Sequence, residues 1–266
     1  MSASGYYKWE KSYGRPEKDY DDYLLIKKIF EKGKSKYGWR TIQMKLNSIK
    51  NITMNHKKII RIKNKYKLIT KIRRRNPYKE IMKKTAEHRT FANILDREFN
   101  QQIPQKVFCT DIAYLFFNNT VAYLSAVKDI ASREIVAWSL SKHIDMNLVF
   151  ETIKSMKDNK NIFSLKDILI HSDQGFHYTN PEYINKVEIS GMKQSMSRKG
   201  NCIDNSPMET FFGHFKDEVD YKNCKTFEEL RALTAEYIDY YNNERQQWEL
   251  KKMTPVDYRN HLLIAT

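Results

Sequence analysis

The chain has 266 residues, 41% hydrophobic and 30% charged, with 4 Trp, 17 Tyr and 13 Phe. That is enough apolar side chain for one large domain or a large domain plus a small one, which excludes collagen-like, mucin-like and fully disordered chains. No apolar run approaches the roughly 20 residues of a spanning helix, and the first 20 residues lack the apolar block of a signal peptide, so the sequence predicts a cytoplasmic protein with no membrane partner. Cys109, Cys202 and Cys224 lie far apart, with no CxxC and no zinc-type spacing, which argues against a disulfide framework and a zinc finger.

The formal charge of +15 is unevenly placed. Residues 1–100 hold 27 Lys and Arg against 10 Asp and Glu, whereas residues 101–266 hold 20 against 22. Between Glu31 and Glu80 no acidic side chain interrupts 48 residues carrying 17 Lys and Arg, among them Arg73, Arg74 and Arg75. Such a stretch neutralises a polyanion, releasing counterions as it binds, so affinity for nucleic acid should fall steeply with salt. A solvated basic tail or an acidic-lipid surface would share the composition.

Periodicity argues for structure within this window. Ile42, Leu46 and Ile49 recur at helical spacing, and Ile59, Ile62 and Tyr66 do so again. Residues 50–55 supply turn formers and N-caps between them, so the sequence predicts a helix-turn-helix-like pair at about 37–70. Its second helix would turn Lys57, Lys58, Arg61, Lys63 and Lys65 toward DNA. Basic helical pairs of this kind also occur in RNA-binding proteins.

The basic helical region is read as 1–75 and a linker as 76–105, including a short helix through Ile81 and Met82. Residues 106–115 then read as an apolar strand, Asn118-Asn119 as a hairpin turn, and 121–127 and 134–140 as two more strands. A helix capped by Asp145, a strand at 168–171, a helix from Pro181, a strand near 192–196 and a helix opened by Ser206-Pro207 follow. The order βββαβαβα predicts an α/β core at 106–225 with a mixed sheet covered by helices. Thr226 with Glu229 forms a capping box for a long helix burying Leu230, Leu233, Tyr237 and Tyr240 or Tyr241. Thr254-Pro255 then turns into a last helix, completing a C-terminal extension at 226–266.

Three acids stand out by placement: Asp111 inside the first apolar strand, Asp173 just past the strand 168–171, and Glu209 in the first turn after Pro207. For any one carboxylate a cap or a salt bridge is the commoner role. Together they suit a hard divalent cation, which takes oxygen ligands and would offset the cost of desolvating Asp111. Two such ions activate a water or 3′-hydroxyl and stabilise the leaving oxygen in phosphoryl transfer. Lys216 lies two helical turns beyond Glu209 on the same face, and Phe212, Phe215 and Val219 can bury the opposite side. Residues 197–205 form a polar loop suited to approach by a DNA backbone.

These residues resemble the bacterial insertion-sequence transposases of family three, which carry a retroviral-integrase-like core. The resemblance rests on Cys109-Thr110-Asp111-Ile112, His171-Ser172-Asp173-Gln174-Gly175, Ser195 to Cys202 with Asp204-Asn205, and Glu209-Thr210-Phe211-Phe212 with Lys216. Thirty-five residues separate Asp173 from Glu209, the spacing of the family's Asp-Asp-Glu triad. Tyr37-Gly38-Trp39-Arg40-Thr41-Ile42 is similar to the start of the family's accessory helix-turn-helix, and Tyr240-Tyr241-Asn242-Asn243 with Arg245 and Thr254-Pro255 to its C-terminal signature. Gln246-Gln247-Trp248 stands where a His commonly follows the Arg, and Ala113 and Phe176 replace small polar residues.

The resemblance implies a ribonuclease H-like fold and a DNA transposase that cuts and joins strands using two Mg2+ ions, for which Mn2+ can substitute. Asp111 would bridge the ions, with Asp173 and Glu209 completing one site each. Lys216, Arg198, Lys199 and Asn201 would touch DNA, and His171, Asn201 and Asp204 would support the ligands or the substrate strand. For the last three, a strand histidine and turn formers are equally consistent readings. The implied partners are double-stranded DNA (element ends and target), further copies of the chain on DNA, and the upstream-frame product or a fusion with it, since Ser4 to Trp9 resembles the start of a downstream frame. A nucleoid-associated protein is expected. Two alternatives keep the fold: a non-catalytic DNA-binding regulator of the element, and a nuclease acting on RNA–DNA hybrids.

Overall fold

The computed structural model describes residues 2–12, 19–50, 52–71 and 90–265. The chain divides into two compact units, Met1–Ile72 and Arg73–Thr266. The expected helix through Ile81 and Met82, and Arg73, Arg74 and Arg75, lie outside the described residues.

The first unit contains α1 (Ala3–Ser12), α2 (Tyr20–Lys32), α3 (Trp39–Lys50) and α4 (His56–Lys65). The helices α3 and α4 are the pair read from periodicity; α1 and α2 were not expected, although Tyr23, Ile26 and Phe30 recur at helical spacing along α2. Ile26 and Phe30 of α2 pack with Ile42 and Leu46 of α3, Met54, and Ile59 and Ile62 of α4. The turn is fixed where Gln43 Nε2 donates to the Met54 carbonyl (2.8 Å) and Asn55 Oδ1 caps α4 by accepting from the Lys57 amide (2.9 Å).

The second unit is built on β1 (Val107–Phe117), β2 (Thr120–Asp129), β3 (Ile135–Ser141), β4 (Leu169–Ser172) and β5 (Lys193–Met196), in the order β3-β2-β1-β4-β5. The first three strands are antiparallel and β4 and β5 run parallel to β1, the mixed sheet expected of the resemblance. Asn118 and Asn119 both adopt positive φ (39° and 57°) in the two-residue β1–β2 turn, a conformation that Asn tolerates and the strand twist favours.

Helices cover both faces. Val107, Cys109, Ala113, Leu115 and Phe117, alternate residues of β1, face the cluster containing Met208, Phe211, Phe212 and Phe215 of α8 (Ser206–Glu218) and Leu230, Tyr237 and Tyr241 of α9 (Phe227–Asn243). Phe108 faces the other way, toward α5 (Met146–Asp158) and α7 (Pro181–Ile189); α6 (Phe176–Thr179) is a single turn that the sequence did not announce. Asp145 caps α5 by accepting from the Leu148 amide (3.3 Å), and Thr226 caps α9 by accepting from Glu229 (3.1 Å). Of the two tyrosines left open for α9, Tyr241 is the buried one. The chain closes with α10 (Pro255–Ala265).

Residues 90–105, read from the sequence as part of a linker, carry Leu95 into the core beside the sheet. Phe91, Leu95 and Phe99 recur every fourth residue there, but the stretch forms turns and no helix, so periodicity is a poor guide to it.

Candidate active site

Adjacent parallel strands set the first two acids side by side. Cys109 of β1 is in register with His171 of β4, so Asp111 and Asp173, each two residues further on, come side by side at the C-terminal end of β4, Asp111 within β1 opposite Ala126 of β2 and Asp173 just past its strand. Asp111 follows Cys109 at an interval of two and therefore points to the face covered by α8. That helix begins at Ser206 and carries Glu209 in its first turn.

Two contacts fix the start of α8 against the strands. Asn205 Nδ2 donates to the Thr110 carbonyl (3.2 Å), one residue before Asp111, and Lys128 Nζ donates to the Pro207 carbonyl (3.1 Å). Lys128, buried in β2 opposite Cys109, was not singled out in the sequence, although a lysine inside an apolar strand is itself a signal. Met208, Phe211, Phe212 and Phe215 bury the inner side of α8, leaving Glu209 exposed and Lys216 partly exposed.

The electrostatics report the convergence. Burial pushes the Asp111 carboxyl up to about 7, helped by the charge of Asp173 and more weakly by that of Glu209; the Ile112 amide (2.8 Å) and Lys216 oppose the rise. Asp173 Oδ1 accepts from the Gly175 amide at 2.8 Å, and a Cβ on Gly175 would stand 2.8 Å from that oxygen, so a larger residue there would push the Asp173 carboxylate aside. The donor set, three carboxylates whose mutual repulsion a cation would relieve, fits a hard divalent ion in chemistry. Among the described residues, no group of three or more His, Cys, Asp or Glu side chains is gathered closely enough to enclose one.

The neighbouring polar residues divide sharply by role. His171 is fully buried, with Nδ1 2.9 Å from Ser195 Oγ and Nε2 3.1 Å from Ser197 Oγ, and burial lowers it to about 4. Ser195 Oγ already accepts from the Ile94 and Leu95 amides, so its proton goes to Nδ1 and the neutral ring carries hydrogen on Nε2. Asp204 is buried too, receiving Arg198 Nε (2.9 Å), Arg198 Nη2 (3.1 Å), the Arg198 amide (3.0 Å), Arg97 Nε (2.7 Å) and Asn93 Nδ2 (3.2 Å). The Arg198 hydrogen bonds hold its carboxyl well below the usual range despite burial. Its geometry is that of a clamp, and neither Arg97 nor Asn93 was picked out in the sequence, where nothing marks a pairing across more than a hundred residues.

The expected DNA contacts are placed unevenly. Lys57 and Lys65 are exposed on α4, but Lys58 pairs with Asp22 and Arg61 with Asp19 (2.8 Å), both acids at the start of α2. Lys63 does not face solvent. It is buried, with Nζ donating to Thr70 Oγ1 (2.7 Å) and the Tyr37 carbonyl (3.2 Å), because its position brings it between α4 and the chain on either side. In the catalytic unit Lys199 is exposed and Asn201 partly so, while Arg198 turns back onto Asp204 and Asp96. Gly200 between them takes φ of +79°. A groove of about 870 Å³ along β3, between α5 and α9, includes none of the three carboxylates. No described helix is long and apolar enough to cross a membrane.

Two integrase core domain families match residues 101–202 and 209–263, and an HTH-like domain matches residues 17–76. The chain is similar to the putative transposase InsK for insertion sequence element IS150 of Escherichia coli K12, 34% identical over 98% of this chain and 90% of that one. It is 37% identical to an uncharacterized transposase-like protein of Haemophilus influenzae, over 80% of this chain and 96% of the relative. Among solved structures, a chain of the simian T-cell lymphotropic virus intasome in complex with PP2A regulatory subunit B56 gamma aligns with TM-score 0.49 and 13% identity, over 82% of this chain and 74% of that one. The near full-length relative and the integrase-core and HTH-like matches together place the chain in the bacterial insertion-sequence transposases of family three.

Proposed function

We propose that the chain is an active transposase, cleaving DNA strands at element ends and transferring them to a new site with Asp111, Asp173 and Glu209 as its catalytic carboxylates. The observation that carries this reading is the meeting of three acids from three separate elements, close enough that two of them raise the third. Asp111, Asp173 and Glu209 would hold Mg2+, or Mn2+ in its place. The bound ions supply activation of the attacking oxygen and neutralisation of charge on the phosphate and the leaving oxygen.

What the chain itself contributes is position and charge. Packing of α8 against β1 fixes the backbone behind Glu209, and the Gly175 amide orients Asp173. Lys216 brings a cation into the electrostatic reach of Asp111, where it would pair with the scissile phosphate. Lys57, Lys199 and Asn201 are the proposed contacts to double-stranded DNA, joined by Arg73, Arg74 and Arg75. Lys58, Arg61 and Arg198 already hold carboxylates and would meet a phosphate with their remaining N–H donors or in competition with those acids. Assembly of several copies on DNA, action with an upstream-frame segment and a location at the nucleoid belong to the same proposal.

The test is strand cleavage and joining on supercoiled plasmid with Mg2+ or Mn2+, comparing the chain with Asp111→Asn and Glu209→Gln. Activity lost in both variants, with DNA affinity retained, supports the reading. DNA binding without cleavage by the unaltered chain, alone and fused to an upstream segment, would favour a regulatory protein instead.

A further inference from the structure

The segment 91–97 runs ahead of β1 and meets both sides of the candidate site. On one side Met196 donates its amide to the Ala92 carbonyl (3.3 Å), and the Ile94 and Leu95 amides donate to Ser195 Oγ (3.0 and 3.3 Å). That hydroxyl holds His171, two residues before Asp173. On the other side Asn93 and Arg97 bond to Asp204, whose neighbour Asn205 ties the start of α8 to β1 beside Asp111.

The loop between β5 and α8 is held at its two ends by other means. Ser197 donates its amide to the Ser172 carbonyl (2.9 Å) at the start, and Asn205 and Lys128 secure the finish. Its middle depends on Asp204. Arg198 bonds to that carboxylate three times, but it belongs to the same loop, so those bonds close the loop on itself without fixing it to the sheet. Among the described contacts, Asn93 and Arg97 reach the Asp204 carboxylate from outside the loop, across 111 and 107 residues of chain, while Arg198 also pairs with Asp96 of the same segment (3.3 Å) and the Asp204 backbone bonds to His171 of β4. Asp204 has no exposed side chain, so a lost donor is not readily replaced by water.

We infer that Asn93 and Arg97 are positioning residues of the strand-transfer site, clamping Asp204 so that the loop at 198–205 holds Glu209 in register with Asp111. The inference rests on the catalytic reading above. It assigns a working role to the stretch ahead of the sheet. Arg97 acts through Asp204 and touches neither substrate nor metal ligand.

The test uses the full chain with Arg97→Ala, Arg97→Lys and Asn93→Ala, measuring strand transfer of a DNA end, DNA affinity, thermal unfolding and trypsin cleavage after Lys199. Arg97→Ala is expected to lower kcat by about tenfold or more, since small displacements at a reacting centre are costly, with KM and DNA affinity within about twofold. Arg97→Lys, which can still donate to one carboxylate oxygen, should recover most of the loss, and Asn93→Ala should show a smaller one. Trypsin should cut after Lys199 about tenfold faster in Arg97→Ala, as one charge-assisted hydrogen bond no longer orders the loop. An unchanged kcat in folded Arg97→Ala overturns the inference, and so does a loss confined to KM and affinity, which would make Arg97 a DNA contact. If the unaltered chain cuts no DNA, the catalytic reading fails by itself and the trypsin rates still decide the clamp: faster cleavage sustains it, equal rates refute it.

Discussion

Two half-buried carboxylates of the second unit have opposite fates. At the end of the sheet, Asp111 is raised by burial and by its acidic neighbours to about 7. Beneath the C-terminal helices, burial works to raise Glu218 as well, but the Arg245 guanidinium outweighs it and holds the carboxyl below its ordinary value. Arg245 reaches both oxygens of Glu218 (2.6–3.0 Å), and Tyr237 donates its hydroxyl at 3.1 Å. One region therefore completes its charge with an arginine, while the other sets acids beside one another and offsets them only in part through Lys216. An acid supplied with its own arginine stays charged within the protein, whereas an acid set among other acids is a candidate ligand for a cation.

The largest effect should come from removing a member of the acidic group. Asp111→Asn and Glu209→Gln should each cut metal-dependent strand cleavage by at least about 10³-fold while leaving DNA affinity nearly unchanged, as expected for groups acting as one catalytic unit. Either variant retaining a large share of the wild-type cleavage rate would break the contrast at its root.

On the other side, Arg245→Met leaves Glu218 buried and uncompensated and should cost about 3–5 kcal/mol in urea unfolding. Pairing it with Glu218→Gln should recover part of that loss. A cost no greater than that of a surface substitution would show that the pair contributes little to the fold.

The pH dependence sharpens the comparison through its sign. The Asp111 value of about 7 in the folded chain lies above the ordinary 3.8, so its contribution to stability is present in full below pH 4 and is lost as pH rises through 7. Metal-free Asp111→Asn should therefore be more stable than the unaltered chain by about 4 kcal/mol at pH 8 and no more stable at pH 4. Added Mg2+ should narrow that gap by stabilising the unaltered chain. An equal difference at both pH values would rule out titration of Asp111 as its source.

The smallest effect is expected at Asn242, whose side chain accepts from the Ile135 amide and donates to the Ile135 carbonyl, both at 2.9 Å, at the edge strand β3. Asn242→Ala should lose about 1–2 kcal/mol in urea unfolding and leave cleavage per folded molecule unchanged. A selective loss of cleavage would instead tie this edge to the catalytic region.

Much of the fold was legible because it depends on local rules. The alternation along 106–115, the paired asparagines at 118–119, Asp145 and Thr226 as caps and Pro207 in a first turn each specify a conformation within a few residues. Even there the tertiary structure edited the detail: Glu229 reaches the Lys225 amide (2.7 Å), one residue before the cap a reciprocal box would use. The three acids were legible as positions on separate elements. Which lysine of α4 turns inward, and that Asp204 binds Arg97 as well as Arg198, depended on neighbours distant in sequence.

The sequence by itself determined the family, the helical pair, the strand order along the chain and where each acid falls on its element, since periodicity, caps and turns act over a few residues. Only the tertiary structure decided what each charge meets: Asp173 and Glu209 beside Asp111, Arg97 on Asp204, Arg245 on Glu218, Asp19 and Asp22 on the basic face of α4. Coulomb energy depends on separation in space and on the surrounding dielectric, and neither is a function of separation along the chain.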